Sequence, residues 1–321
     1  MSTVLITGVA GFIGSHLAER LVAEGHVVRG IDCFTDYYPR AEKEANLAGL
    51  RREPRFELTE ADLCEADLVP VLRGVGTVFH QAAQAGVRKS WGKEFLVYVR
   101  SNVVATQRLL EACREVQPER LVYASSSSIY GDSDDIPLRE ESLPRPVSPY
   151  GVTKLAGEHL CRLYSVDHGM PAVSLRYFTV YGPRQRPDMA FHKFIRAMIE
   201  GTTIEIYGDG KQTRDFTYVI DAVEANVRAM TRGTPGEAYN IGGGSRTSVI
   251  AVLDLLEEIG GKGIRRAFKD VQKGDVKHTL ADTTRSEREL GYMRRVSLKE
   301  GLTQEYLWLK ERLESGAREG R

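Results

Sequence analysis

Cysteine is scarce in this chain: Cys33, Cys64, Cys113 and Cys161 stand far apart and none belongs to a C-x-x-C pair. That spacing argues against a zinc site or a disulfide framework, so no metal is expected and the thiols should be reduced and mostly buried. An excess of charge is missing too, because Lys plus Arg and Asp plus Glu both number 44. Neither nucleic acid nor a membrane surface is therefore expected as the main partner, and any anionic ligand must be met by locally placed Arg or Lys. No apolar run approaches the roughly 18 residues of a membrane span. The opening MSTVLITGVAGFIG has no basic segment ahead of its apolar stretch and carries glycines within it, unlike a secretory signal. The expectation is a soluble, cytoplasmic protein.

What is present is enough apolar material for a proper core: 321 residues, 42% of them hydrophobic. Short β-branched runs at 4–7, 27–31, 56–58, 77–80, 121–124 and 172–175 read as strands. Between them, stretches near 13–24, 95–114 and 150–167 place apolar residues at helical spacing and are long enough to cross from strand to strand. Such alternation predicts an α/β fold with a doubly wound parallel sheet. Beyond about Tyr181 the pattern loosens into a Pro-rich link at 182–187, helices near 191–200, 249–258 and 298–313, and a short strand at 204–207. The division expected is a first domain over 1–180 with a segment returning at about 216–245, and a smaller interleaved α/β domain over 181–215 and 246–321.

The first strand runs into Gly8-Val-Ala-Gly11-Phe12-Ile13-Gly14 and then a helix. A turn of this kind bares backbone N–H groups next to the positive end of a helix dipole, which suits a pyrophosphate, and glycine lets the phosphate approach closely. Asp32 closes the second strand, where a carboxylate accepts both ribose hydroxyls and repels a 2′-phosphate; NAD is expected over NADP. Asp62 and Leu63, just after the third strand, are placed to cap the adenine. Tyr150 and Lys154 share one face at the start of a helix. A neighbouring ammonium and a positive nicotinamide ring should lower the phenol's pKa and make Tyr150 a base, while Lys154 holds the nicotinamide ribose. Ser125-Ser126-Ser127-Ser128 follows the fifth strand at its carboxyl end, where open parallel sheets bind ligands. One of these serines can share a sugar proton with Tyr150.

With these motifs in order, and with HQAAQAGVR at 80–88, SPYGVTK at 148–154, LRYFTVYGPRQRPDMAFHKF at 175–194, YGDGKQTRDFTYVID at 207–221 and YNIGGG at 239–244, the chain resembles the extended short-chain dehydrogenase/reductase family of nucleotide-sugar epimerases, dehydratases and decarboxylases. The likeness runs over essentially the whole length. It implies a Rossmann-type fold and a catalytic trio of Ser126, Tyr150 and Lys154. Along the cofactor it implies Gln81, Ala82, Ala83, Gln84, Asn102, Ser125 and Tyr177. His80 is implied to be a packed residue ending a strand. A dimer through the helices near 95–114 and 150–167 is also implied.

The residues beside Ser126 narrow the reaction. A 4,6-dehydratase of the family carries Asp-Glu directly after that serine, to eliminate water across C5 and C6, and a uronate decarboxylase carries Glu at the position of Ser128. Here both places hold serine, which cannot serve as acid or base in the way a carboxyl can. What remains is oxidation at C4 to a transient ketone, turnover of the sugar and return of hydride to the other face. The 175–194 segment resembles UDP-glucuronate 4-epimerases most, with Thr179 where UDP-glucose 4-epimerases usually show Asn. Once C4 is a ketone, a uronate is a β-keto acid, so its carboxylate must be restrained. Arg186, with the hydroxyls of Ser127, Ser128 and Thr179, is the candidate clamp. The resemblance further implies Arg214 on the diphosphate, Ile206 and Tyr207 along the uracil and Arg88 near the sugar phosphate. Where family members often carry Arg before the G-D aspartate this chain has Gln272, with Lys273 the candidate substitute. The alternatives are UDP-glucose 4-epimerisation, UDP-glucuronate decarboxylation, net oxidation of a nucleotide sugar and a catalytically silent NAD sensor.

Overall fold

Strands rich in Val, Ile and Leu that bury both faces are the building unit of a parallel sheet covered by helices. The computed structural model, which describes residues 1–270 and 274–319, contains that sheet. In chain order the strands are β1 (Thr3–Thr7), β2 (Val27–Asp32), β3 (Phe56–Glu60), β4 (Thr77–His80), β5 (Arg120–Ser126) and β6 (Ala172–Tyr177). After them come β7 (Thr179–Tyr181), β8 (Ile204–Tyr207), β9 (Thr213–Tyr218), β10 (Ala238–Ile241), β11 (Arg246–Ser248) and β12 (Arg266–Lys269). Seven form one sheet in the order β10-β6-β5-β4-β1-β2-β3, every pairing parallel. Successive residues of β1 serve opposite faces: Val4 and Ile6 pack in one apolar cluster, Leu5 in another with Ile31, Val78 and Leu121.

The chain order reverses between β1 and β4, and at such a point the two carboxyl ends diverge into a crevice. Gly8 follows β1 there and Gln81 follows β4. The helix Phe12–Ala23 leaves β1 with Leu17, Ala18 and Leu21 buried, and Val219–Ala229 lies against it, tied by an Arg20–Glu224 pair at 3.0 Å. On the other side Pro149–His168 crosses from β5 to β6; an added Cβ at its Gly157 would sit 2.1 Å from the Tyr123 hydroxyl, so only glycine permits that approach. The three-stranded sheet β11-β9-β7, the pair β12-β8 and the helices Ala190–Glu200, Val249–Gly260 and Leu298–Glu319 lie outside that sheet and its crossover helices.

The single helix expected over 95–114 is broken into Phe95–Tyr98, a π-helical turn Val99–Val104 and Ala105–Val116. Apolar spacing continues through the wider turn, so periodicity does not register it; π turns occur often at functional sites, and this one carries Asn102. All four thiols are free, but only Cys113 and Cys161 are buried; Cys33, at the open end of β2, is exposed and Cys64 partly so. No described helix is long and apolar enough to cross a membrane.

Candidate active site

The glycine loop is forced by backbone packing. Gly8 adopts φ +69, a left-handed conformation, and a Cβ there would meet Ala82 Cα at 2.8 Å; one at Gly14 would fall 2.3 Å from the Gly8 carbonyl. Gly11 is the N-cap of Phe12–Ala23 and gives it no side-chain cap. The first-turn N–H groups, with Phe12 buried and Ile13 partly so, therefore face the crevice as anion donors. Asp32 ends β2 and accepts the amides of Ala10 (3.1 Å) and Phe34 (2.8 Å). Burial raises its pKa, against those amides and the nearby Lys43. Asp62 is paired with Arg100 at 2.9 Å and accepts the Cys64 amide, while Leu63 packs into the core.

The opposite wall comes from the strand after the crossover. Gln81 Nε2 donates to Asn226 Oδ1 at 2.9 Å, and Asn226 Nδ2 donates to the Tyr177 hydroxyl at 2.7 Å. The amide of Ala82 donates to Thr7 Oγ1 at 3.1 Å; Ala83 is exposed. Asn102 fastens Gln84 from both sides, accepting its amide (2.7 Å) and donating to its carbonyl (3.0 Å), and also donates to Thr153 (2.9 Å). His80 is fully enclosed between the hydroxyls of Thr7 (2.7 Å) and Thr106 (3.0 Å). Burial brings its pKa down to about 3, so it is a neutral packed residue.

Ser126 lies at the end of β5, where its Oγ accepts the Ser128 amide at 3.1 Å and caps the short turn Ser127–Ile129. Its neighbour Ser125 faces the other side of the sheet and donates to Glu158 at 2.6 Å, within a buried chain of Glu158, Arg176, Tyr130 and Asn240. Ser125 can thus meet a ligand in the crevice only through its backbone. The Tyr150 phenol is subject to Ser126 and to the charge of Arg186. In the chain by itself burial raises the phenol's pKa, opposed by Ser126 and by the charge of Arg186, with no contribution from Lys154. The Lys154 ammonium lies instead 4.4 Å from the Tyr123 ring centroid, buried and with no hydrogen bond to the described residues. Burial lowers its pKa to about 8. An ammonium with no acceptor among the described residues fits a dinucleotide whose ribose hydroxyls supply one.

On the sugar side Arg186 is not a free cation. Its Nε and Nη2 donate to Asp188 Oδ1 and Oδ2 at 2.9 and 3.0 Å, and the Tyr37 hydroxyl donates to Oδ2 at 3.3 Å. Tyr98 stacks edge-on against Tyr150, centroids 6.2 Å apart. Thr179, Ser127 and Ser128 are partly exposed at the ends of β7 and β5. Farther out, Arg88 lies over the Tyr207 ring at 4.4 Å and pairs with Asp275 at 2.7 Å. Arg214 has its pKa lowered, first by burial and in part by Arg88, so two guanidinium groups converge there. Ile206 departs from the sequence expectation: its side chain is in the core, leaving only its backbone for a ligand. Gln272 and Lys273 lie outside the described residues. Sequence reasoning missed Tyr37, Tyr98, Asp188 and Asn226. Asp188 stood beside Arg186 in a segment already singled out, but the tyrosines are brought in from distant segments.

A crossover crevice with an uncapped glycine turn after β1, a carboxylate closing β2, and Ser126, Tyr150 and Lys154 on β5 and the helix that packs against it defines a dinucleotide-dependent α/β enzyme. The chain belongs to the NAD dependent epimerase/dehydratase family, whose model matches residues 4–242. It is 47% identical over 95% of its length, and 97% of the relative's, to an uncharacterized UDP-glucose epimerase, YtcB, of Bacillus subtilis. Identity is 36% to a UDP-glucuronate 4-epimerase of Thermodesulfobacterium geofontis, over 98% of both chains. The crystal structure of UDP-glucuronic acid 4-epimerase from Bacillus cereus with UDP-glucuronic acid and NAD superposes with a TM-score of 0.94 at 44% identity, covering 96% of this chain and 99% of that one.

Proposed function

We propose that the protein is an NAD-dependent 4-epimerase of UDP-glucuronate, producing UDP-galacturonate through a 4-keto sugar. The observation that supports the substrate assignment is Arg186, a largely buried guanidinium whose charge acts on the Tyr150 phenol, so that a uronate carboxylate held near the proposed base would meet a cation. When bound, NAD accepts hydride from C4 and gives it back. Tyr150, acting with Ser126, takes the O4 proton and returns it; Lys154 holds the nicotinamide ribose; Asp32 meets the adenosine ribose hydroxyls and excludes a 2′-phosphate. Gly8, Gly11 and Gly14 admit the pyrophosphate. Arg88, Tyr207 and Arg214 hold the UDP, so the sugar can turn over without leaving. Ser127, Ser128 and Thr179 join Arg186 on the C6 carboxylate.

A second reading, UDP-glucose 4-epimerisation, is favoured by the Arg186–Asp188 pair, which carries no net charge and accommodates a neutral C6 hydroxymethyl. Decarboxylation has no carboxyl at Ser128 to support it, and the intact Tyr150 and Lys154 weigh against a silent NAD sensor. The two-part division over 1–180 with 216–245, and 181–215 with 246–321, belongs to this reading. So does a cytoplasmic homodimer: Val97, Val104, Val152, Leu163 and Val166 are exposed apolar residues on the two helical segments that would meet. Incubating the protein with UDP-glucuronate and, separately, UDP-glucose, and resolving the products by NMR, tests the assignment. Accumulation of NADH with either sugar would instead mark a net oxidoreductase.

A further inference from the structure

Arg186 offers donors along two edges, the side-on edge of Nε with Nη2 and the end-on edge of Nη1 with Nη2. Asp188 occupies the side-on edge with both oxygens, at 2.9 and 3.0 Å. Asp188 is fixed in turn by the Tyr37 hydroxyl at 3.3 Å, and the Tyr37 ring lies 5.8 Å from the Arg186 guanidinium carbon. Lys89 stands 4.9 Å from the same ring. The tyrosine hydroxyl packs against Gly86, where an added Cβ would lie 2.5 Å from it. Arg186 and Asp188 keep only 19% and 25% of their side-chain surface exposed.

Within this group only the end-on edge is left for a ligand, and we infer that Asp188, backed by Tyr37, is the positioning residue that turns this edge of Arg186 to the C6 carboxylate and makes the site selective in what happens to a uronate. The inference rests on the UDP-glucuronate reading. Burial opposes ionisation of Asp188, but Arg186 and the Tyr37 donor hold its carboxyl below the usual range, so the pair is charged. Burial first, and then the Asp188 charge, raise the Tyr37 phenol, which stays a donor. Two consequences follow. Without a uronate the guanidinium is already neutralised, so a neutral hexose meets no lone buried cation. With a uronate, a guanidinium locked along one edge holds the carboxylate in a single plane.

That plane matters because loss of CO₂ breaks the C5–C6 bond and leaves its electron pair at C5, conjugated with the C4 ketone as an enolate that then takes one proton at C5. The electron pair can enter the carbonyl system only if the C5–C6 bond stands perpendicular to the carbonyl plane. Asp188 thus acts on partitioning through Arg186 and touches no reacting atom.

The test compares Asp188→Asn and Tyr37→Phe with the unaltered protein on UDP-glucuronate and UDP-glucose, reading kcat, KM and the share of 4-keto-pentose and CO₂. Asp188→Asn keeps the shape but puts an amide against one guanidinium N–H. Misaligning one clamp in this way should lower kcat on UDP-glucuronate by roughly 10- to 100-fold. KM should not rise, because a negative charge near the carboxylate has been removed, and the CO₂ share should increase. Turnover of UDP-glucose should stay within about threefold, since no carboxylate is there to misalign, and it reports that the variant is folded. Tyr37→Phe should move the same quantities in the same direction by less. Equal kcat losses on both sugars, or an unchanged CO₂ share with kcat on UDP-glucuronate intact, would overturn the inference alone. No product from UDP-glucuronate with the unaltered protein would overturn the substrate reading and this inference together.

Discussion

Replacing Arg186 by Ala removes two things from the complex with a uronate. The first is the charge-assisted contact itself, worth about 2–4 kcal/mol. The second is the cation that neutralises Asp188. With Arg186 gone, the Asp188 carboxylate faces the substrate carboxylate, and two like charges about 6 Å apart at an effective dielectric near 20 repel by about 3 kcal/mol. Asp188 keeps a quarter of its side chain exposed, so water screens part of this and the lower end applies. Together the terms lower kcat/KM for UDP-glucuronate by roughly 10³–10⁴-fold, at about 1.4 kcal/mol per decade. UDP-glucose, which meets neither term, should lose less than about tenfold. The double variant Arg186→Ala with Asp188→Asn should regain roughly ten- to a hundredfold on the uronate, because only the repulsion is relieved. Initial rates on both sugars, with CO₂ measured alongside, give all of these quantities. Equal losses on the two sugars, or a double variant no better than Arg186→Ala, would refute the reasoning.

Tyr150→Phe should cut kcat by roughly 10²–10⁴-fold with UDP-sugar affinity nearly unchanged; near-normal turnover would remove Tyr150 from the chemistry. Asp32→Ala or Asp32→Ser should relax discrimination against NADP, measured as the ratio of dissociation constants for the two dinucleotides; an unaltered protein that purifies with NADP would show Asp32 to be misassigned. Glu305, fully buried on the C-terminal helix, accepts the Gly182 amide at 2.8 Å with one oxygen and has no partner for the other among the described residues. Burial raises its pKa well above that of a free carboxyl, so above about pH 4.3 the folded chain keeps a proton that the unfolded chain releases, and stability falls as pH rises from there. Glu305→Gln, which cannot ionise, should therefore raise the melting temperature by about 2–4 °C for each kcal/mol gained, and more at pH 8 than at pH 5. A calorimetric shift equal at both pH values would contradict this.

Local chemistry explains which parts of the molecule were legible beforehand. Strands at Thr77–His80 and Ile204–Tyr207 have the bounds their sequence runs predict, since apolar residues bounded by polar turns leave little choice. Gly8, Gly11, Gly14 and Asp32 were readable because their spacing is a backbone requirement. By contrast β9 (Thr213–Tyr218) and β10 (Ala238–Ile241) went unread as strands; β10 gains its identity only by pairing with β6. The same limit applies at the site. Arg186 was visible, but its grouping with Asp188 and Tyr37 depends on a loop after β2 reaching the segment that follows β7. The expected depression of the Tyr150 pKa rested on helical spacing to Lys154 together with a bound nicotinamide ring. Spacing sets the shared face, but it does not say that burial governs the phenol in the chain by itself, or that Lys154 turns to Tyr123.

The most direct test of the central claim is NMR of UDP-glucuronate incubated with the purified protein and NAD in deuterated water. Epimerisation by hydride removed and returned at C4 predicts UDP-galacturonate approaching equilibrium with UDP-glucuronate, protium retained at C4 and no stoichiometric NADH. UDP-glucuronate left untouched while UDP-glucose is converted, or deuterium appearing at C4, would contradict it.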